Sequence, residues 1–158
     1  MPAIMATDSA STSTASGSST SSAATASDVA RLVLESRTSE HVVVSIPGTS
    51  YRLTLTPTVP PQTIPVADGK RLLGVLRGKA QQMHVASAGG RFIEPVYGHP
   101  RIVQGTIQSI DRERNRVLVQ MVVPAWLDVA AGQSASEFVP GQLVNMYVES
   151  GMTITPVG

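Results

Sequence analysis

The chain has 158 residues, 12 Lys and Arg against 11 Asp and Glu, a net charge of +1 and no cysteine. Disulfides and thiolate metal sites are thereby excluded, and no apolar run reaches the length of a membrane helix. With 42% hydrophobic residues, the chain is long enough to bury one core.

From Ala6 to Ser27, 14 of 22 residues are Ser or Thr, and none carries a large apolar side chain. Such a segment cannot bury enough surface to offset its ordering entropy. Residues 1–28 therefore read as a disordered Ser/Thr/Ala-rich tail, a tether or passive extension, and residues 29–158 as a single β-barrel domain. Ile4 and Met5 stand alone before the tract, and no arginine precedes Arg31. Neither a secretory signal nor a mitochondrial transit peptide is expected, and a cytoplasmic location is.

Strand signals begin at Arg31–Arg37, where Leu32 and Leu34 face one way and Arg31 and Glu35 the other. His41–Ile46 follows with Val42, Val44 and Ile46 in phase. Pro47 and Gly48 supply the preset φ and the positive φ of a type II turn, and Tyr51–Thr56 returns with Tyr51, Leu53 and Leu55 inward. Pro57 to Pro65 holds four prolines and reads as an extended connector. Lys70–Ser87 is long for one strand, and Gly74 and Gly78 mark a bulge or bend. It is expected either as one bent strand serving two sides of a barrel or as two strands broken near Gly78. Ser87–Gly90 turns the chain into Arg91–Tyr97, and Gly98-His99-Pro100 turns it again.

Val103 to Val123 has the clearest pattern in the chain. Val103, Gly105 and Ile107 alternate with polar residues, Asp111–Asn115 makes a turn, and Val117, Val119, Met121 and Val123 share one face on the return. This is one hairpin with a buried and a wetter face. Pro124–Gly132 has proline at the first position and glycine past the end of a short helix. In Leu143–Glu149 both faces are mostly apolar, so a strand covered on both sides is expected, and Met152–Thr155 closes the chain. No internal repeat of fixed period is visible. Short strands between Gly/Pro turns point to an all-β fold, a small antiparallel and partly open barrel, with a two-sheet sandwich as the alternative.

His41, His84 and His99 lack metal-ligand spacing, and no G-x-S-x-G elbow occurs. Ser87–Arg91 has two glycines and an arginine but joins strands, so no helix dipole points at a phosphate. No catalytic, metal or cofactor residues are assigned. Charge is uneven, however. Residues 70–116 carry Lys70, Arg71, Arg77, Lys79, Arg91, Arg101, Arg112, Arg114 and Arg116 against Glu94, Asp111 and Glu113. Residues 117–158 carry Asp128, Glu137 and Glu149 and no Lys or Arg. An anionic partner such as nucleic acid would be met by Arg77, Lys79, Arg91, Arg112, Arg114 and Arg116, if these share a surface. Phe92 and Tyr97 are the aromatic residues nearest that stretch, on opposite faces by parity.

The stretches Gly105-Thr106-Ile107 and Val117-Leu118-Val119, followed by Pro140–Val144, resemble small OB-type barrels in pattern. The resemblance carries no functional residues over. The expected function is a non-enzymatic β-barrel binding or assembly module, with a protein partner or self-association through exposed edges or an apolar patch around Trp126 and Phe138. The alternative is an OB-like single-stranded nucleic-acid-binding protein using the basic face of residues 70–116. No membrane partner is expected.

Overall fold

The computed structural model describes residues 27–157. The expected tail falls outside the described residues except for Ser27 and Asp28, which join the folded part. Ser27 Oγ accepts from the Val29 N–H (3.2 Å), and the Asp28 carboxylate accepts from the Trp126 indole N–H (2.9 Å).

The fold is all-β, as the alternating pattern predicts. Its strands are β1 (Val29–Arg37), β2 (Val42–Ser45), β3 (Arg52–Pro57), β4 (Arg71–Val85), β5 (Phe92–Glu94), β6 (Tyr97–Gly98), β7 (Ile102–Asp111), β8 (Arg116–Gln120), β9 (Pro124–Asp128), β10 (Leu143–Val148) and β11 (Thr153–Pro156). Among the described residues, two single 3-10 turns, Pro61–Thr63 and Ala135–Glu137, interrupt the connections. No helix among the described residues is long and apolar enough to cross a membrane.

The strand pairings run in two circuits. In the first, β1 pairs with β2, β2 with β3, β3 with β11, β11 with β4, and β4 returns to β1. In the second, β7 pairs with β8, β8 with β9, β9 with β4, β4 with β10, and β10 returns to β7. Each circuit has one parallel pair, β3–β11 and β4–β9. The circuits match position by position. Leu32 opposite Leu72 corresponds to Gly105 opposite Val144, and both first strands bulge at the same place, between Leu34 and Ser36 and between Ile107 and Ser109. The second set thus repeats the first about 73 residues later. This corrects the expectation of no repeat. The backbone pairing recurs with much of its apolar pattern, Val42, Val44 and Leu55 matching Val117, Val119 and Leu127, but not every side chain does. Where the first set has Leu32, the second has Gly105, where any Cβ would collide with the Gln120 carbonyl oxygen.

The two halves exchange their last strands. The C-terminal part of β4 closes the second circuit, and β11 closes the first. One long strand, β4, therefore serves both circuits without a break at Gly78. The bulge lies instead at Gln81, which is skipped between the Ala80–Val148 and Gln82–Tyr147 pairs. Gln133 stands in for a strand beside it: its side-chain amide donates to the Met83 carbonyl (2.9 Å) and accepts from the Met83 N–H (3.0 Å).

The Pro47-Gly48 turn forms as expected, with Gly48 at φ +81° and Thr49 N–H donating to the Ile46 carbonyl (3.1 Å). Four expectations need correction. The Pro57–Pro65 connector contains a 3-10 turn. Pro124–Asp128 is β9, not a helix: Ala125 and Leu127 are buried and Asp128 is exposed, so the period of two prevails. Its strand fills the gap between β8 and β4, whose backbone groups it satisfies, and Pro124 occupies the first position, where a missing N–H is tolerated. In β10, Val144, Met146 and Val148 are buried, but Tyr147 on the other face is 57% exposed. In the Val103–Val123 hairpin, the wetter face also hides Gln104 and Leu118.

The core is one apolar cluster fed by both circuits, from Leu32, Leu34, Leu53 and Leu55 through Leu72 and Leu76 to Ile107, Val117, Val119 and Leu127.

Candidate functional site

Register decides which cations meet. Arg116 of β8 stands beside Asp128 of β9, and Asp128 beside Lys79 of β4. One row along, Leu118 stands beside Trp126 and Trp126 beside Arg77. Cross-strand partners project from the same side of a sheet. Arg77, Lys79 and Arg116 therefore share one face, and Arg114, on the turn that precedes β8, is tied to it through Asp111, which it shares with Arg116. Arg91 is apart. Its Nε lies 3.4 Å from Thr106 Oγ1, at the row of Gln120, four residues along β8 from Arg116.

This face is not a uniform cationic surface. Asp111 Oδ2 accepts from Arg114 (3.0 Å) and from Arg116 Nε (3.3 Å), and Asp111 Oδ1 accepts from the Arg114 backbone N–H (3.2 Å). These contacts hold the Asp111 carboxyl below the usual carboxylate range. The backbone hydrogen bond from Arg114 is the largest cause, partial burial opposes it, and the two guanidiniums add to it. Arg116 also lies over the Trp126 ring. With one side under a guanidinium and its N–H given to Asp28, Trp126 is not an open platform for a base.

Beside this face β4 parts from the chain that joins β10 to β11. β4 runs antiparallel to β10 and then β11, with Ala80 opposite Val148 and Arg77 opposite Thr153. Two residues of β4 face four of the other chain segment, so Ser150 and Gly151 are pushed outward. The gap is a cleft of about 340 Å³ lined by Arg77, Lys79, Asp128 and Glu149. Its two cations are matched by two acids, so its charge is balanced.

The histidines divide. His41 and His99 meet edge to face with ring centroids 5.5 Å apart, and His99 Nδ1 is buried without a hydrogen-bond partner. His84 stands elsewhere, on β4 beside Asn145. Among the described residues no three His, Cys, Asp or Glu side chains gather as metal ligands would. Ser87–Gly90 is a turn between strands, as expected. The buried Gln104 donates from Nε2 to the Gly90 carbonyl (2.8 Å) and the Ala88 carbonyl (3.3 Å) and accepts from Asn145 (2.9 Å).

One surface escaped the sequence reasoning. Gln82, Tyr147, Ile102 and Glu94 form a row across β4, β10, β7 and β5. Pro95 and Val96 turn over the end of that row, and Arg101 flanks it. The result is a shallow depression of about 610 Å³ lined by Glu94, Pro95, Val96, Arg101, Ile102 and Tyr147. Val96 is 41% exposed. The expected apolar patch at Trp126 and Phe138 does not exist, since Phe138 is buried and Trp126 is half-buried beneath Arg116. The alternation of Leu143, Asn145 and Tyr147 was the available signal, because an aromatic residue on the polar-containing face of a strand marks contact or exposure.

No protein-family model matches the chain, no curated protein matches its sequence, and no solved structure matches its fold.

Proposed function

We propose that this chain is a non-enzymatic binding module, built as two OB-like barrels that share β4, and that it docks a protein partner in the Tyr147 depression. The barrel part is supported by the two circuits, each running first, second, third, fifth and fourth strand with a parallel pair between third and fifth, the order of OB-type barrels. One observation carries the docking part. Tyr147, Val96, Pro95 and Ile102 form a contiguous apolar surface with Arg101 at its rim, and Tyr and Arg in such a setting are the residue types that anchor interfaces. A photo-crosslinking residue placed at position 147 of the whole chain, in cells, is expected to give a discrete protein adduct. The same residue at exposed Gln81 is expected to give none. An adduct pattern that does not differ between the two positions would refute the docking site.

A second reading has its own support. Arg77, Lys79 and Arg112 are exposed and make no ion pair among the described side chains. Together they suit a phosphodiester backbone, the single-strand nucleic-acid alternative. Oligonucleotide titration at low salt tests it, and no binding there would end it.

A further inference from the structure

We infer that the partner in the Tyr147 depression is a second copy of this chain, seated about a two-fold axis. This inference rests on the reading of the depression as a docking surface.

The depression carries one acid and one base, Glu94 and Arg101, both exposed. They are neighbours in the ladder, since the Arg101 N–H donates to the Glu94 carbonyl (2.8 Å), yet their side chains form no ion pair with each other or with any other described residue. A surface with an apolar centre and one unmatched charge of each sign is complementary to itself. A two-fold axis passing between Glu94 and Arg101 sets Arg101 of each copy against Glu94 of the other and carries Tyr147 of each toward the Pro95–Val96 side of its partner. A heterologous partner of one sign would leave either Glu94 or Arg101 facing a like charge.

The ground beneath the patch is rigid enough for such docking. Tyr147 belongs to a strand paired on both sides, and neighbouring Asn145 is bonded to buried Gln104, which also holds the Ser87–Gly90 turn. Little conformational entropy is lost when a preset surface of this kind is covered.

Charge exchange gives a test that general surface damage cannot mimic. Sedimentation over a concentration series is run on the whole chain, on Tyr147→Ser, on Arg101→Glu, on Glu94→Arg, and on an equimolar mixture of the last two. All three side chains are exposed, and none donates or accepts a side-chain hydrogen bond among the described residues, so folding is expected to survive and is verified by the thermal midpoint. The wild type is expected to dimerise. Tyr147→Ser, and each charge variant alone, are expected to weaken the dimer about tenfold or more. Mixing Arg101→Glu with Glu94→Arg is expected to restore it as a heterodimer, because every cross-interface pair is then opposite in sign. Dimers that Tyr147→Ser weakens but the charge variants do not would overturn the two-fold pairing and leave the docking site standing. A wild type that stays monomeric at every concentration would overturn the second copy as partner, while a heterologous adduct from the position-147 crosslinker would still uphold the docking site.

Discussion

The guanidinium of Arg116 lies over the indole of Trp126, 4.3 Å from the ring centroid. The same group donates to Asp111 (3.3 Å), and its side chain is 11% exposed. Arg116 thus fastens the end of the β7–β8 hairpin to β9. A residue that seemed, from its place in a basic stretch, to await a ligand is already engaged. Arg116→Ala is expected to cost about 1–2 kcal/mol in stability, the combined scale of a partly buried cation–π contact and a charge-assisted hydrogen bond. Arg116→Lys is expected to recover little, because an ammonium cannot stack flat while donating sideways. Urea unfolding of the two variants checks both statements, and a neutral Arg116→Ala would show the stack to be idle.

The engagement of Arg116, and of Arg114 with Asp111, limits what an oligonucleotide can find. Three cations remain for phosphates: Arg77, Lys79 and Arg112. If single strands bind this face, log K against log salt is expected to fall with a slope of about −2, following roughly 0.7 per phosphate neutralised. Trp126 fluorescence is expected to stay unchanged, since its ring is covered. A slope of about −3.5, at roughly 0.7 per phosphate, together with quenching would mean that Arg114 and Arg116 leave Asp111 on binding.

The exchange of last strands depends on close approach at one glycine. A Cβ on Gly74 would stand 2.7 Å from Cγ1 and 2.8 Å from Cδ1 of Ile154, the β11 residue opposite Leu76. Gly74→Ala is expected to destabilise by about 1–3 kcal/mol by overpacking. Ile154→Ala removes both atoms, so the double variant is expected to lose less than the sum of the two singles, with a coupling of about 1 kcal/mol. Gly78 differs. Its nearest neighbour would be the terminal Cε of flexible Met152 at 3.0 Å, and Gly78→Ala is expected to stay within about 1 kcal/mol of wild type. Additive costs at Gly74 and Ile154 would mean that β11 packs more loosely than this geometry requires.

The same glycines show where the sequence was legible. Local alternation announced β1, β2, β3, β7 and β8, because each of these strands turns one apolar face into the common core. The Pro47-Gly48 turn was legible for the same reason, since its chemistry is contained in four residues. What escaped depended on distant partners. β9 has the punctuation of a helix, and becomes a strand because β8 and β4 leave a space for it. The repeat lay hidden because the spacing between equivalent positions changes from strand to strand and some equivalents differ sharply in size, as Leu32 and Gly105 illustrate. Of the six cations proposed from charge alone, register brings Arg77, Lys79 and Arg116 to one face and Asp111 ties Arg114 to them, a pairing that the crowding of Asp111 among arginines in the sequence allowed for. The Tyr147 depression required knowing that none of the described residues covers the outer side of β10 at Tyr147, which periodicity cannot report.

Asp111 makes the hairpin tip sensitive to acid, and the direction follows from its contacts. The Arg114 backbone N–H, and then the guanidiniums of Arg114 and Arg116, lower its proton affinity in the folded state below that of the unfolded chain. As pH falls, the unfolded chain takes up its proton first. The stabilisation is therefore complete above the titration range of an ordinary carboxylate and fades as pH drops through the lower folded-state value. Asp111→Asn keeps an acceptor for the Arg114 N–H but loses the charge. It is expected to be less stable than wild type at neutral pH, and the gap in urea midpoint is expected to close on acidification. Added salt is expected to narrow the gap at neutral pH, since the Arg114 side chain is 65% exposed and its attraction is screened. Midpoints that run parallel from neutral to acid would mean that Asp111 holds this turn as a hydrogen-bond acceptor alone, with its charge contributing nothing.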